Sequence, residues 1–481
     1  MPEVSCVMVG HNYRNEVQTV AQLFFGQKKV ELVERGWEYS TPGMRCINDL
    51  GTEIITWVDE AAAHTVVEVD GLENARCSVS LTQADIIRAG LSARRVLMIA
   101  MFRALQEVNP RVTPWGALTG IRPSKMVRGW LAAGLNDEEI IHIMVTVLHC
   151  RKDKALLALT VARAENQLTE KIHSVPSGRV PIGIYIGIPF CPSRCAYCSF
   201  NMGEKQPTRD VLAQYVDILI RECREKGEEL HRLNGKPTSL YIGGGTPTVL
   251  PMDLLEKLLD ALHTCFDIAP EYTVEAGRPD TLTKENLRLM RSAGVNRIAV
   301  NPQTLNDHTL AAIGRNHTAA DFFRAFSLAR EAGFPCINTD LIANLPGETA
   351  LDLSHSLAAL LPLAPENITV HTFSIKRASR LRQAQIDLHE KIIPTDVNIP
   401  AGYAPYYLYR QKNTAGLLEN VGYSLQGFEC LYNIGMMSEV QTILGIGAGA
   451  VSKYVAGEKI TRVFNEKNPG VYMERRLKHI P

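Results

Sequence analysis

The chain has 481 residues, and its 51 Lys plus Arg are balanced by 51 Asp plus Glu. That length gives room for two or three domains, each with its own core, and the neutral balance gives no global pull towards nucleic acid or an anionic membrane. Neither a basic, apolar leader at Met1-Pro-Glu-Val-Ser-Cys6 nor a run of roughly 18–20 apolar residues is found, and an odd total of 11 cysteines fits reduced thiols in a cytoplasm better than a disulfide framework.

Residues 1–175 read as a separate α+β domain. Strand-like runs at Val4–Val9, Glu53–Trp57 and Thr65–Val69 lead into helical patterns at about 83–107, 137–149 and 152–173. Ser174-Val-Pro-Ser-Gly-Arg-Val-Pro181 has the composition of a linker. From 182 onward, strands and helices alternate. The expected strands are Gly183–Phe190, Ser239–Gly243, Tyr272–Ala276, Arg297–Pro302, Cys336–Ile342 and Ile368–Ile375. Between the first two, Leu212, Tyr215, Val216 and Leu219 form the apolar stripe of a helix over 209–233. Gly294 and Gly333 punctuate later helix ends. Six βα units in a row give a parallel sheet with right-handed crossovers. They fall short of the eight of a closed barrel, so an open, partial barrel is expected, with its site at the C-terminal strand ends. Beyond 401 a short helix around Tyr406–Asn413 and a glycine-rich turn, Leu444-Gly-Ile-Gly-Ala-Gly-Ala450, are expected.

The cysteine spacing is the sharpest signal. Cys191-Pro-Ser-Arg-Cys195-Ala-Tyr-Cys198 follows the first strand of the alternating region. Three thiolates this close can hold one face of a metal cluster, yet nothing adjacent offers the fourth ligand that structural zinc and ferredoxin clusters use. One iron of such a cluster would stay open for chemistry. The other eight cysteines, at 6, 46, 77, 150, 223, 265, 336 and 430, are scattered and read as small core residues. After the second strand, Gly243-Gly-Gly-Thr-Pro-Thr248 lets backbone approach a ligand, although a plain tight turn has the same composition. Glu275, Gln303, Asp340 and Arg315 fall at or near successive strand ends. A single such residue is usually a satisfied core group, but four beside the cysteine loop point to a common site.

Together the Cys191-x3-Cys195-x2-Cys198 spacing, the glycine triplet and the six βα units resemble the radical S-adenosylmethionine (SAM) enzymes. Tyr185-Ile-Gly-Ile-Pro-Phe-Cys191, Gly243-Gly-Gly-Thr-Pro-Thr248, Asn301-Pro-Gln-Thr304, Ile313-Gly-Arg-Asn-His-Thr318 and Asp340-Leu-Ile-Ala-Asn-Leu-Pro-Gly347 resemble, more closely, the oxygen-independent coproporphyrinogen III oxidase family. Pro114-Trp-Gly-Ala-Leu-Thr-Gly-Ile-Arg-Pro-Ser-Lys125 and Tyr407-Leu-Tyr-Arg-Gln-Lys-Asn413 are similar to its HemZ-type coproporphyrinogen dehydrogenase branch. The resemblance implies an α/β chain with a partial (βα)6 radical-SAM barrel over 182–400, an N-terminal α+β domain over 1–175, and a helical and glycine-turn extension over 401–481 that closes the site.

It also implies a site. Cys191, Cys195 and Cys198 would hold a [4Fe-4S] cluster whose open iron chelates SAM. Tyr185 would lie beside the cluster, and Gly244, with Gly245 and Thr246, would meet the methionine end. Glu275, Gln303, Arg315 and Asp340 would hold the carboxylate and ribose hydroxyls, with Ser374 and Val451 on the adenine side. In the family's reaction a 5′-deoxyadenosyl radical removes hydrogen from a propionate β-carbon, and loss of CO2 and an electron leaves a vinyl group. The chain departs from many members in having Gly187 where they have histidine. Ser199-Phe200 follows Cys198 where the decarboxylating branch has a further cysteine, so no residue is assigned to a second SAM.

The implied partners are a tetrapyrrole and an electron donor such as flavodoxin or ferredoxin, with no nucleic acid and no membrane. Arg122, Lys125 and Arg128 are candidates for the four propionates of coproporphyrinogen, although a solvated helix face has the same pattern. Tyr406, Tyr407 and Tyr409 with Arg410 and Lys412 offer cover for a tetrapyrrole or form an ordinary amphipathic helix. Alternatives are chemistry on another tetrapyrrole or small substrate, and haem carriage. For haem carriage the candidate ligands are Cys430, His371, His389 and His479.

Overall fold

The computed structural model describes residues 4–25, 30–35, 52–69, 72–120, 122–198, 207–374, 402–411, 414, 418–457 and 459–478. Cys46, His389, Lys412, His479 and the Ser199-Phe200 pair lie outside them. Two compact units are present, 1–160 and 161–481, with 416–418 grouped with the first. The division falls inside the helix Lys152–His173.

The first unit holds a five-stranded sheet, β1 (Val4–Val9), β2 (Val30–Arg35), β3 (Thr52–Val58), β4 (Ala62–Val69) and β5 (Leu72–Ser80), in the order β2-β1-β3-β4-β5. β1 is parallel to both neighbours and buried at every position, while β3, β4 and β5 pair antiparallel. Helices Arg14–Phe25 and Ala93–Val108 supply its core, with Phe24 edge-on to Phe102 at 5.4 Å. The helix expected over 83–107 is split at Gly90, whose φ of +58° ends its first piece, Ala84–Arg88.

In the second unit β6 (Val180–Ile188), β7 (Gly235–Gly244), β8 (Glu271–Val274), β9 (Arg297–Ala299), β10 (Cys336–Ala343) and β11 (Asn367–Thr372) run parallel. Ile182, Ile184, Ile186 and Ile188 alternate along one face of β6 and pack beneath helix Arg209–Arg232. Gly183, Tyr185 and Gly187 take the opposite face. This is the expected six-unit core, and the sheet does not close into a ring.

The C-terminal part differs from expectation. It adds β12 (Tyr403–Arg410), β13 (Glu419–Leu425), β14 (Thr442–Ile446), β15 (Val451–Ala456) and β16 (Lys459–Phe464), giving eleven strands in the order β12-β13-β11-β10-β9-β8-β7-β6-β14-β15-β16. Among the described residues only Leu431–Met437 and Pro469–Lys478 are helical there. The segment expected as a helix at Tyr406–Asn413 is a strand through Arg410. Four tyrosines favour the pleated surface, and Pro405 is tolerated because β12 is an edge strand. A bulge between Pro405 and Tyr407 breaks the two-residue alternation, so the apolar spacing imitates a helix.

Candidate active site

The cysteine loop leaves β6 and is fixed from two sides by backbone. Gly245 N donates to Ile188 O at 2.7 Å and Thr246 N to Phe190 O at 2.7 Å. A Cβ at Gly245 would stand 2.4 Å from Phe190 O, so only glycine permits this approach. On the far side Ala196 N donates to Ile313 O at 2.9 Å and Ser193 Oγ to Gly314 O at 3.2 Å. The motif Ile313-Gly-Arg thus braces the loop.

Side chains hold the sulfurs. Cys191 Sγ is 3.2 Å from Thr246 Oγ1. Cys195 is buried, with Arg278 Nη1 3.8 Å from its Sγ. Tyr197 also hydrogen-bonds Cys195 and packs on Ile313, Ile342, Leu345 and Phe373. Burial pushes the Cys191 thiol up to about 11, against the contact with Thr246 that favours its thiolate. Among the described residues no three His, Cys, Asp or Glu side chains converge as ligands of one metal ion; the three sulfurs stand as separate points on one loop.

Below the loop lies a ring of polar groups. Glu275, one residue past β8, accepts from Tyr241 Oη and, at 3.1 Å, from Gly244 N. Burial raises its carboxyl above the usual range, assisted by the charge of Asp340. Tyr185, Tyr241 and Tyr432 stack beside it, with Tyr241 and Tyr432 centroids 4.3 Å apart. Asp340 accepts from Asn301 Nδ2 and Asn338 Nδ2, each at 2.8 Å. His371 Nε2 lies 3.6 Å from Asp340. Burial alone would raise the Asp340 carboxyl, but His371 and Asn338 outweigh it and hold the group below its ordinary value.

Two of the groups expected to bind SAM, Gln303 and Arg315, carry unsatisfied hydrogen-bonding atoms. Gln303 sits at φ +71°, an uncommon conformation outside glycine, and its Oε1 is buried without a partner among the described residues. Arg315 directs Nη2 to Gly277 O at 2.7 Å and Asn301 O at 2.6 Å, while its Nε is buried and unpartnered among the described residues. Such buried orphans leave hydrogen-bonding capacity that a ligand can take up. With the glycine cradle and three thiols lacking a fourth, the residues fit a cluster and a charged, hydroxyl-rich cofactor.

Glu275, Asp340 and His371 also line a cavity of about 230 Å³ in the barrel lumen, walled by Tyr406, Tyr407 and Tyr409 and reaching Arg297 and Cys430. His371 Nδ1 meets Tyr409 Oη at 3.3 Å. Cys430 is buried, and its Sγ donates to Glu271 at 3.5 Å. Ser374 is buried and bridges to Thr414, and Val451 opens β15. Arg122, Lys125 and Arg128 belong to the first unit, Arg122 at the N-cap of helix Pro123–Ala132.

Arg278, Asn301 and Asn338 are side-chain partners in the site that the sequence does not single out. Asn301 opens the motif Asn301-Pro-Gln-Thr304, while Arg278 and Asn338 carry no local signal.

A radical SAM superfamily model matches residues 185–360. An oxygen-independent coproporphyrinogen-III oxidase-like protein, HemZ, of Bacillus subtilis (strain 168) is 40% identical over 375 residues, covering 75% of this chain and 74% of that protein. The heme chaperone HemW of the same organism is 37% identical over 198 residues, 40% of this chain and 50% of its own length. The solved structure of the radical SAM enzyme coproporphyrinogen III oxidase (HemN) from Escherichia coli is similar at a TM-score of 0.48 and 20% identity, covering 65% of this chain and 73% of that one.

Proposed function

Because the chain belongs to the oxygen-independent coproporphyrinogen-III oxidase-like family of radical SAM oxidoreductases, we propose that it oxidatively decarboxylates coproporphyrinogen III to protoporphyrinogen IX in haem synthesis. Members of this superfamily use a [4Fe-4S] cluster and SAM, and a tetrapyrrole substrate fits the family. The observation that carries the reading is the three-cysteine loop pinned against the glycine turn, with orphaned polar atoms of Gln303 and Arg315 at adjacent strand ends.

In this reading Cys191, Cys195 and Cys198 hold the cluster. Gly244 and Thr246 receive the methionine end of SAM, with Tyr185 alongside. Arg315 suits a carboxylate because its charge is fixed and its remaining donors are planar. Glu275, Gln303 and Asp340 take hydroxyl and amino groups. When bound, the cluster and SAM supply one electron and a 5′-deoxyadenosyl radical. The protein's own part is to orient the propionate β-carbon and keep water out. Tyr241 and Gly244 hold the Glu275 carboxylate in one orientation. The stacked tyrosines give that side of the site an apolar wall. An external donor, of flavodoxin or ferredoxin type, would provide the electron. No helix among the described residues is long and apolar enough to cross a membrane, and we place the protein in the cytoplasm.

The test is anaerobic reconstitution followed by coproporphyrinogen III, SAM and dithionite, with products read by mass spectrometry. Loss of two CO2 units, dependent on Cys191, is expected. If 5′-deoxyadenosine forms while the porphyrinogen is untouched, the substrate lies elsewhere. Haem carriage is the second reading, favoured by the match to heme chaperones and by His371 and Cys430 lining one cavity. Absence of a Soret shift at micromolar haemin would remove it.

A further inference from the structure

We propose that Arg278 is a positioning residue for the iron–sulfur cluster: locked by Asp280, it holds Cys195 in place and puts a fixed positive charge beside the cluster. The proposal rests on the reading that Cys195 is a cluster ligand. Its geometry is independent of that reading.

Arg278 lies on the turn that follows Glu275, where Pro279 starts a short 3-10 turn, Pro279–Thr281, that brings Asp280 back towards it. The guanidinium is divided. Nε and Nη2 form a two-pronged pair with Asp280 at 2.9 and 2.8 Å. Nη1 is left for the cysteine loop, where it reaches Ser193 Oγ at 3.0 Å, Ser193 O at 3.4 Å and Cys195 Sγ at 3.8 Å. The Arg278 side chain is 3% exposed against 20% for Asp280. The cation is therefore the deeper partner, and its carboxylate lies on the side away from the sulfur.

A buried guanidinium is retained only with partners, and here one is a cysteine sulfur. Reducing a cluster by one electron adds one negative charge spread over iron, sulfide and thiolates. A cation held close to a ligating sulfur, shielded from water, stabilises that reduced form more than the oxidised one, and hydrogen bonds to ligand sulfur act in the same direction. Asp280 opposes the effect. The two residues should therefore shift the potential with opposite signs, which a purely structural clamp would not do.

The experiment uses the full chain, reconstituted anaerobically, with iron and sulfide content measured first and a one-electron potentiometric titration read by electron paramagnetic resonance. Absence of iron from the wild-type protein would overturn the cluster reading itself, separately from this proposal. With iron present, Arg278→Gln is expected to lower the reduced-to-oxidised ratio at fixed potential by about tenfold, a midpoint about 59 mV more negative. Asp280→Asn is expected to move the midpoint the other way. Arg278→Gln with full iron and a wild-type midpoint would overturn the proposal. If Arg278→Gln holds no iron, Asp280→Asn decides: a more positive midpoint supports the proposal, and an equal or more negative one overturns it.

Discussion

Gly245→Ala tests the central geometric claim, that the glycine turn sets the position of the cysteine loop. Gly245 has ordinary negative-φ-compatible backbone, since it is absent from the residues with positive φ, so its alanine variant meets steric contact rather than torsional strain. The new Cβ would lie 2.4 Å from Phe190 O, 2.9 Å from Ile188 O and 2.9 Å from Phe190 C, all backbone atoms, where ordinary contact begins at 3.4 Å. The gap must open by 3.4 − 2.4 = 1.0 Å. The Gly245 N–Ile188 O and Thr246 N–Phe190 O bonds, both 2.7 Å, resist that opening. Stretched by the full amount they would reach about 3.7 Å, beyond a hydrogen bond. Overpacking costs about 1–3 kcal/mol and each of the two lost bonds about 0.5–1.5 kcal/mol, a total of about 2–6 kcal/mol concentrated next to Cys191.

Peptide-resolved hydrogen exchange on the cluster-free protein reads that loss locally. Protection over 186–198 and 243–248 is expected to fall roughly 30-fold or more, the equivalent of about 2 kcal/mol. Iron bound after reconstitution should fall well below wild type. Gly294→Ala is the control: nothing lies within 4 Å of its Cβ, but its φ is +81°, so it carries torsional strain of about 1–2 kcal/mol with iron content unchanged. Wild-type protection and full iron in Gly245→Ala would refute the reasoning.

Three further outcomes follow from buried charge. Glu271 accepts from Leu431 N at 2.6 Å, Tyr432 N at 2.9 Å and Cys430 Sγ at 3.5 Å, and it faces Arg297 Nε at 3.9 Å. Glu271→Ala should release helix Leu431–Met437 at a cost of about 3–5 kcal/mol, and proteolysis within 426–437 that stays at the wild-type rate would count against it. His317 is held neutral by burial and by Arg315, its pKa lowered from 6.5 to about 4. The stability it contributes is complete above pH 6.5 and is lost as pH falls towards 4, with a ceiling of about 3 kcal/mol at 1.36 kcal/mol per unit; His317→Phe should flatten thermal stability across that window. Glu275 has the opposite sign, because burial raises its pKa above 4.5. The folded state then binds more protons, so stability falls as pH rises past 4.5, and Glu275→Gln should remove that slope while weakening SAM binding in equilibrium dialysis.

The six parallel strands were legible because short runs rich in apolar and β-branched residues alternate with longer amphipathic helical stretches, and the cysteine loop because its ligand spacing is local. Glu275, Gln303, Asp340 and Arg315 could be proposed together since strand ends in a βα sheet share one rim. What escaped the sequence was long-range. Arg278 in Gly-Arg-Pro-Asp has the composition of a solvated turn, and only the fold brings it across 83 residues to Cys195. Glu271 reads as a polar residue at a strand start, yet its partners lie about 160 residues onward. β12 was obscured by a bulge, and the pairing of β14 with β6 has no local signature.

That last pairing bears on the proposed cluster site, in which three cysteines would have to suffice. β6 is held by β7 on one side and, through Tyr185–Gly445 and Ile186–Ile446, by β14 on the other. The helix Arg209–Arg232 fastens both: Tyr215 Oη donates to Gly187 O at 2.7 Å and accepts from Ala448 N at 2.9 Å, while buried Glu222 accepts from Gly447 N at 2.8 Å and from Tyr472 Oη. A Cβ at Gly447 would come within 2.5 Å of Gly187 O, and one at Gly187 within 3.3 Å of Ala448 O, so the closeness of the two backbones requires glycine at 447 and leaves little room at 187. A site with four protein ligands can tolerate a loose stem, because the metal itself organises the loop. One that leaves an iron open lacks that fourth tether, and the scaffold has to supply the rigidity instead. The C-terminal strands therefore brace the stem of the cysteine loop, with Thr246 and Arg278 beside the sulfurs of Cys191 and Cys195.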